Sequence, residues 1–182
     1  MAFLRVSSLD VSASRRPAWL GGRPGPSLTD IDLMLEEGSL CTVFGPAGAG
    51  KSLLLQTLAG LVVLDGVDVT RLPVGRRRTA LVPAVPVVYP ALTVEENLAW
   101  PLRRQRLSPE QLRRQVTEMA SLLGVLDVLH VRAGQLAPAT AQRVAIGRAL
   151  IREDLGLLLL DDALQVLDAE GRRRMVGCLR QV

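Results

Sequence analysis

Residues 45–52 form the segment whose residue types and spacing are best suited to chemistry. They match the pattern G-x-x-x-x-G-K-[ST], with an apolar run before the loop and helical spacing after it. Glycines let backbone N–H groups turn inward around phosphates, and the following helix N-terminus adds a positive dipole. In such a loop Lys51 reaches the β- and γ-phosphates, and the Ser52 hydroxyl binds Mg²⁺. The predicted nucleotide-binding residues are Gly45, Pro46, Ala47, Gly48, Ala49, Gly50, Lys51, Ser52 and Leu53. The alternative is a glycine-rich loop without a ligand.

Asp161 and Asp162 are the candidate second half of this site, because they directly follow the apolar run Leu157–Leu160. An acidic residue at the end of a buried strand can hold Mg²⁺ through water, so we assign Asp161 to the metal. The alternative is an ordinary strand followed by an aspartate that caps a helix.

Lys51 is the only lysine among the 22 basic residues of the chain, and the others are arginines. Lysine is a slim point charge and arginine a planar fork, so the two are not interchangeable in a tight phosphate loop. This one exception to the arginine bias favours a loop that still binds nucleotide.

Five segments are expected to be strands, and residues 62–78 are expected to be a strand-and-turn region. Alternating apolar residues predict strands over residues 1–12 and 31–35. Continuous apolar runs predict buried strands at residues 40–44 and Leu157–Leu160, and a short strand is expected at Thr79–Val82.

Helices alternate with these strands. Apolar spacing predicts one helix behind Lys51 and another over residues 141–151. Capping boxes begin at Thr93 and Ser108, and Asp168 is expected to cap a final helix. Strands interleaved with helices indicate an α/β fold with a largely parallel sheet.

The composition predicts a folded, soluble chain of 182 residues in a reducing compartment. Apolar residues make up 48% of the chain, but no aliphatic run approaches the ~20 residues that cross a membrane. Cys41 and Cys178 are too few and too far apart for a disulfide framework. Arginine runs with only 3% aromatic residues favour solvated helix faces over a nucleic-acid surface.

Four further segments resemble the ATP-binding subunits of ABC transporters, in particular sugar- and glycerol-type importers. The segments are DVTRLP at residues 68–73, YPALTVEENLAWPLR at 89–103, QRVAIGRAL at 142–150 and LLLLDDALQVLDA at 157–169. With the phosphate loop they cover nearly the whole chain in the family's order: phosphate loop, Q-loop, signature motif, Walker B and D-loop. An unrelated phosphate-loop protein would not reproduce this order.

The resemblance implies a phosphate-loop NTPase core with a mostly parallel sheet and an N-terminal antiparallel portion. It implies one domain over residues 1–182, with an inserted helical subdomain at about residues 84–152. ATP and Mg²⁺ are the implied ligands, and Asp162 takes the place of the family's catalytic glutamate.

The resemblance also implies partners. Residues 89–103 lie where such importers meet their membrane-spanning subunits, so the chain is expected to be cytoplasmic and peripheral on the inner face of the cell membrane. A head-to-tail dimer with an identical or different ATP-binding subunit is implied, and nucleic acid is not.

Several residues depart from the family pattern at positions that serve hydrolysis. Ala84 replaces the Q-loop glutamine and cannot coordinate Mg²⁺ or orient a water. The signature motif reads LAPAT at residues 136–140, where Ala137 lacks a hydroxyl and Pro138 lacks an N–H. Asp162 is one methylene shorter than glutamate, which shortens its reach toward an attacking water.

In the family a strand with a switch histidine follows the D-loop, and the chain stops at Val182 before such a strand. The only histidine, His130, precedes the signature motif. The resemblance places that strand between those leading to the phosphate loop and to Asp161. Its loss predicts a gap in the sheet and a marginally stable, truncated domain.

We therefore expect an ABC-type ATPase that couples ATP binding and hydrolysis to import, with weak or absent activity. One alternative is a non-hydrolysing binding or regulatory subunit, favoured by Ala84, Pro138 and the missing histidine. The other is a fragment or decayed gene product, against which Lys51 argues.

Overall fold

The chain divides into two compact units, Met1–Thr79 and Ala80–Val182. The computed structural model describes residues 2–12, 27–60, 63–64, 67–68, 73, 76 and 78–179. Within these ranges, no helix is long and apolar enough to cross a membrane.

The first unit contains an antiparallel sheet. Strand β1 (Ala2–Ser12) pairs with β2 (Ser27–Glu36) on one side and with β3 (Val63–Leu64) on the other, and β3 pairs with β4 (Val67–Asp68). Leu4 on β1 is fully buried. The two long strands predicted from alternating apolar residues are confirmed.

Helix α1 (Lys51–Gly60) follows the phosphate-loop segment and buries Leu54 and Leu58. Residues four apart lie on one face of a helix, which is why this pair predicted the element correctly. Residues 14–27 are rich in proline, glycine and arginine, which predicts a loop, and all of them except Ser27 lie outside the described residues.

Residues 40–44 are not the buried strand that their apolar run predicts. They have no regular secondary structure, and Leu40 is 77% exposed and Phe44 89% exposed. An apolar run becomes a buried strand only where neighbouring strands satisfy its backbone N–H and C=O groups. Neither sheet in the described part of the chain includes a partner for this segment, so the prediction was wrong.

The second unit places four helices with a parallel pair of strands. The strands are β5 (Thr79–Val82) and β6 (Leu157–Leu160), both predicted; the helices are α2 (Val94–Ala99), α3 (Pro109–Leu123), α4 (Pro138–Leu150) and α5 (Ala169–Leu179). Short 3-10 helices at Trp100–Arg104, Leu126–Val128 and Ala133–Gln135 connect them.

One apolar core holds the second unit together. Fully buried Leu98, Leu123 and Val144 bring α2, α3 and α4 to the same cluster. Gly147 on α4 permits this approach, because a Cβ there would overlap Leu123 Cδ1 and lie 3.0 Å from Leu98 Cδ2.

Both predicted capping boxes are confirmed. The Thr93 hydroxyl accepts from the Glu96 N–H at 3.1 Å, and the Glu96 carboxylate accepts from the Thr93 N–H at 2.8 Å. Ser108 and Gln111 make the same reciprocal pair at 3.2 and 2.8 Å. Each pair satisfies two N–H groups that a helix start leaves without partners.

The last two helices also follow local rules. Asp168 Oδ1 accepts from the Gly171 N–H at 2.7 Å, which confirms the predicted cap of α5. Helix α4 begins at Pro138 rather than at residue 141, since proline is well tolerated at the first helical position.

Candidate functional site

The phosphate-loop segment turns through two glycines with positive φ. Gly48 has φ 82° and Gly50 has φ 88°, in the left-handed region that glycine enters without strain. Between them, the Ala49 N–H donates to the Pro46 carbonyl at 3.3 Å, and α1 begins directly behind the loop. The glycine spacing of the motif therefore produces the tight turn that it predicts.

The Lys51 side chain is folded over this loop. Its Nζ donates to the carbonyl oxygens of Gly45 and Pro46, both at 2.9 Å. An ammonium carries three donors and no acceptor. The two bonds fix its positive charge at the loop, at the start of α1.

The residues present fit the phosphates of a nucleotide. The first turn of α1 carries no acidic side chain, so no side-chain charge in it opposes an anion at this helix N-terminus. Ser52 is exposed and Leu53 is partly buried. Ammonium, hydroxyl and backbone N–H groups together form a donor set that suits an anion.

Asp161 and Asp162 lie at the end of β6 in the second unit, so the two predicted halves of the site belong to different units. The Asp161 N–H donates to the carbonyl of Val82, the last residue of β5, at 2.9 Å. Asp162 is exposed and has φ 53°, a left-handed conformation that aspartate tolerates better than most residues. The strand that leads to these carboxylates is confirmed, and their metal and catalytic roles stay predictions.

Residues 136–140 form the start of helix α4. Ala137 is the N-cap residue and makes no side-chain hydrogen bond, and Pro138 is the first helical residue. A serine at the N-cap would accept from a backbone N–H, and glycine in place of proline would add one more donor. This helix start therefore offers fewer polar groups than the family's serine-and-glycine motif.

Residues 83–89 follow β5 and have no regular secondary structure. This segment contains Ala84. From helix α4, Gln142 Nε2 donates to the Pro83 carbonyl and an Arg148 guanidinium nitrogen donates to the Val87 carbonyl, both at 2.9 Å. Neither of these contacts of Gln142 and Arg148 is predictable from the sequence. Gln142 is 59 residues from Pro83 in the sequence, and Arg148 is 61 residues from Val87. No local sequence pattern indicates contacts at such separations.

The predicted partner-facing region begins with a pair of aromatic rings. The ring centroids of Tyr89 and Trp100 are 4.8 Å apart. The Arg103 guanidinium lies 4.1 Å from the Trp100 ring, and that of Arg148 lies 4.3 Å from the Tyr89 ring, within the range of cation–π attraction.

A model of the ABC transporter family matches residues 28–165, a span that includes the phosphate loop and both aspartates. The chain is 36% identical over 156 residues to the molybdate/tungstate import ATP-binding protein of Pyrococcus abyssi, covering 82% of this chain and 45% of that protein. It is 39% identical over 156 residues to the sn-glycerol-3-phosphate import ATP-binding protein of Chromohalobacter salexigens, covering 82% and 42%. The chain thus spans less than half the length of these curated relatives.

The fold is similar to that of the ATP-binding cassette MJ0796, solved as a dimer in a post-hydrolysis state bound to ADP and Pi. The TM-score is 0.81 at 22% sequence identity, covering 97% of this chain and 81% of that chain. This likeness confirms the predicted α/β phosphate-loop NTPase fold. Because the family match covers most of the chain and both relatives share more than a third of the aligned residues, the chain belongs to the ABC transporter family and carries its ATP-binding domain.

Proposed function

We propose that this chain is the ATP-binding subunit of an importer, and that it binds ATP through residues 45–53. The carrying observation is the Lys51 ammonium, fixed over the loop by the Gly45 and Pro46 carbonyls at the N-terminus of α1. A fixed cation, inward-turning backbone and a helix dipole act together on the same anion. In this role Lys51 holds the β- and γ-phosphates.

Mg²⁺ accompanies the nucleotide in this proposal, with the Ser52 hydroxyl and the Asp161 carboxylate as its protein ligands. When bound, the ion neutralises charge on the phosphates. Both groups are oxygen donors, the type that Mg²⁺ prefers. Asp162 is the candidate general base for hydrolysis.

We propose further that hydrolysis by this chain is weak or absent. Ala84 and Ala137 supply no polar side chain, Pro138 supplies no N–H, and the Asp162 carboxylate is shorter than a glutamate's. Preorganised donors that are missing from a site cannot stabilise the charge that develops in the transition state.

The alternative function is a binding or regulatory subunit that holds ATP without hydrolysing it. The start of α4 favours it, because Ala137 leaves that helix without a capping side chain. The two functions differ only in turnover, since both require the phosphate loop.

Membrane-spanning transporter subunits are the proposed partners, met through residues 89–103, which places the chain peripherally on the inner face of the cell membrane. The two relatives named above are import ATP-binding proteins, which supports an importer. Within the importers, we propose that this chain belongs to the sugar- or glycerol-type division. A dimer with an identical or different ATP-binding subunit, and one domain with its helical subdomain at about residues 84–152, belong to the same proposal.

Binding of a fluorescent ATP analogue in the presence of Mg²⁺ tests the proposed function. The wild-type chain is expected to bind, and Lys51→Ala is expected to lose binding because it removes the only side-chain cation of the loop. Arg114→Ala, which removes an exposed cation from α3, is the matched control and should bind like wild type. Equal binding by wild type and Lys51→Ala would show that the loop does not hold phosphates.

A further inference from the structure

Arg148 contacts the second half of the segment formed by residues 83–89 in two ways. Its guanidinium donates to the Val87 carbonyl at 2.9 Å and lies 4.3 Å from the centroid of the Tyr89 ring. Both contacts use the planar group, one through its edge and one through its face. Arginine can make both at once, whereas a lysine ammonium is a point charge without a face.

The two ends of the segment are fixed by other side chains. Gln142, fully buried on α4, donates to the Pro83 carbonyl at 2.9 Å. Asn97, fully buried on α2, exchanges two hydrogen bonds with the backbone of Tyr89. Arg148 therefore supplies the hydrogen bond at Val87, between these two end anchors.

The segment exposes apolar side chains where it is held. Val85 is 73% exposed and Val87 is 59% exposed, although nearby Pro83 is bonded to Gln142, a fully buried residue of α4. An exposed apolar segment without a ladder of backbone hydrogen bonds loses order easily unless side chains hold it. A segment held in one conformation binds a partner at lower entropic cost than one that must be ordered on binding.

The surroundings of Arg148 show that this contact is made at some cost. The side chain is partly buried, and Nε is a buried donor without a hydrogen-bond partner among the described residues. Burial lowers the pKa of Arg148, and the neighbouring Tyr89 acts in the opposite direction. A guanidinium remains charged in proteins at neutral pH, so the partly buried side chain of Arg148 is a cation.

We infer that Arg148 is a positioning residue that holds residues 83–89 as a preformed apolar surface on helix α4. The inference rests on the proposed function, in which the adjoining residues 89–103 meet a membrane-spanning subunit. Helix α4 begins at Pro138 and contains Arg148. The same helix therefore joins the segment of residues 83–89 to residues 136–140, which stand in place of the signature motif.

Backbone ¹⁵N relaxation of the 182-residue chain measures the predicted ordering directly. In wild type, the N–H groups of Ala84, Val85, Val87 and Val88 should have order parameters near those of the helices, about 0.85. In Arg148→Met, which keeps an apolar stem without the guanidinium, these values should fall below about 0.6 while α3 and α5 stay unchanged. Arg148→Lys should show the same local loss, because it keeps the charge but neither the fork nor the stacking face.

Arg114→Met is the matched control, since Arg114 is an exposed arginine paired only with Glu118 on α3. It should leave the segment as ordered as in wild type. Unchanged order parameters in Arg148→Lys would overturn the inference, even if Arg148→Met failed to fold. A loss of order spread equally over α3 and α5 would also overturn it, because Arg148 would then be a general stability residue.

Nucleotide binding separates this inference from the proposed function. The Arg148 variants should bind the fluorescent ATP analogue like wild type, since Lys51 and its loop are unchanged. A wild-type chain that bound no nucleotide but lost order at residues 84–88 in Arg148→Lys would refute the proposed function and still support the positioning role.

Discussion

Asn97 and Tyr89 exchange two hydrogen bonds across the start of the second unit's helices. The Tyr89 N–H donates to Asn97 Oδ1 at 2.9 Å, and Asn97 Nδ2 donates to the Tyr89 carbonyl at 3.0 Å. The same Nδ2 donates to the Thr93 carbonyl at 2.9 Å. A buried amide thus acts as the backbone partner at the Tyr89 end of a segment that has no regular secondary structure.

We predict that Asn97→Ala lowers the free energy of unfolding by about 1–3 kcal/mol, because the Tyr89 N–H loses its partner, whereas the Tyr89 carbonyl keeps its bond from the Leu92 N–H. Asn97→Asp should cost at least as much, since its second carboxylate oxygen would face the Tyr89 and Thr93 carbonyls to which Nδ2 now donates, at a fully buried position. Urea unfolding followed by circular dichroism measures both. Thr117→Ala, on an exposed face of α3, is the control and should change stability by less than about 0.5 kcal/mol. An equal effect of Asn97→Ala and Thr117→Ala would contradict the assigned role.

Two helical glycines should respond to alanine with opposite signs. At Gly147 a Cβ overlaps the fully buried Leu123 side chain, so Gly147→Ala should destabilise the chain by about 1 kcal/mol despite better helix propensity. At Gly177 on α5 no heavy atom of the described residues lies within 4 Å of an added Cβ. Gly177→Ala should therefore raise stability by about 0.5–1 kcal/mol. Melting temperatures of the two variants test the pair, and a shift in the same direction for both would contradict the packing described at Gly147.

Phe44→Ser tests the conformation of residues 40–44. Because Phe44 is exposed in the structure, the substitution should change the free energy of unfolding by less than about 0.5 kcal/mol. A buried strand would make the same substitution cost about 3–5 kcal/mol. Leu98→Ser, in the core, provides the large effect for comparison. A loss at Phe44 that approached the loss at Leu98 would restore the buried-strand prediction.

Steady-state phosphate release tests the proposal of weak hydrolysis. Each preorganised donor missing from a site typically costs about 10²–10³ in rate, and this chain lacks the polar groups expected at Ala84 and Ala137. Release should therefore stay near background, and Asp162→Glu alone should not restore it. Robust release by wild type that Lys51→Ala abolishes would show a competent enzyme instead.

Local chemistry made part of this fold predictable. The capping boxes at Thr93 and Ser108 depend on residues three apart, so the sequence contains the whole signal. The turn through Gly48 and Gly50 is equally local, since positive φ is a property of single residues. These features correctly predicted where two helices start and the tight turn through Gly48 and Gly50.

Features that depend on distant partners could not be predicted in the same way. The apolar run at residues 40–44 predicts a strand only if neighbours exist, and no described strand pairs with it. The contact of Gln142 with Pro83 joins positions 59 residues apart. The candidate site shows the same difference. The turn of the phosphate loop depends on neighbouring residues and could be predicted, whereas the relation of Asp161 to that loop depends on distant residues and could not.

The Lys51 ammonium, held on two loop carbonyls, is the only lysine side chain in the sequence. Reagents that acylate primary amines therefore find one side chain to modify, apart from the N-terminal amine. A nucleotide seated on the loop is expected to shield that amine, so the mass of the modified peptide would report occupancy in the unaltered protein. Because the other basic residues of the chain are arginines, acylation of Lys51 alone among the side-chain amines can serve as a footprint of nucleotide binding.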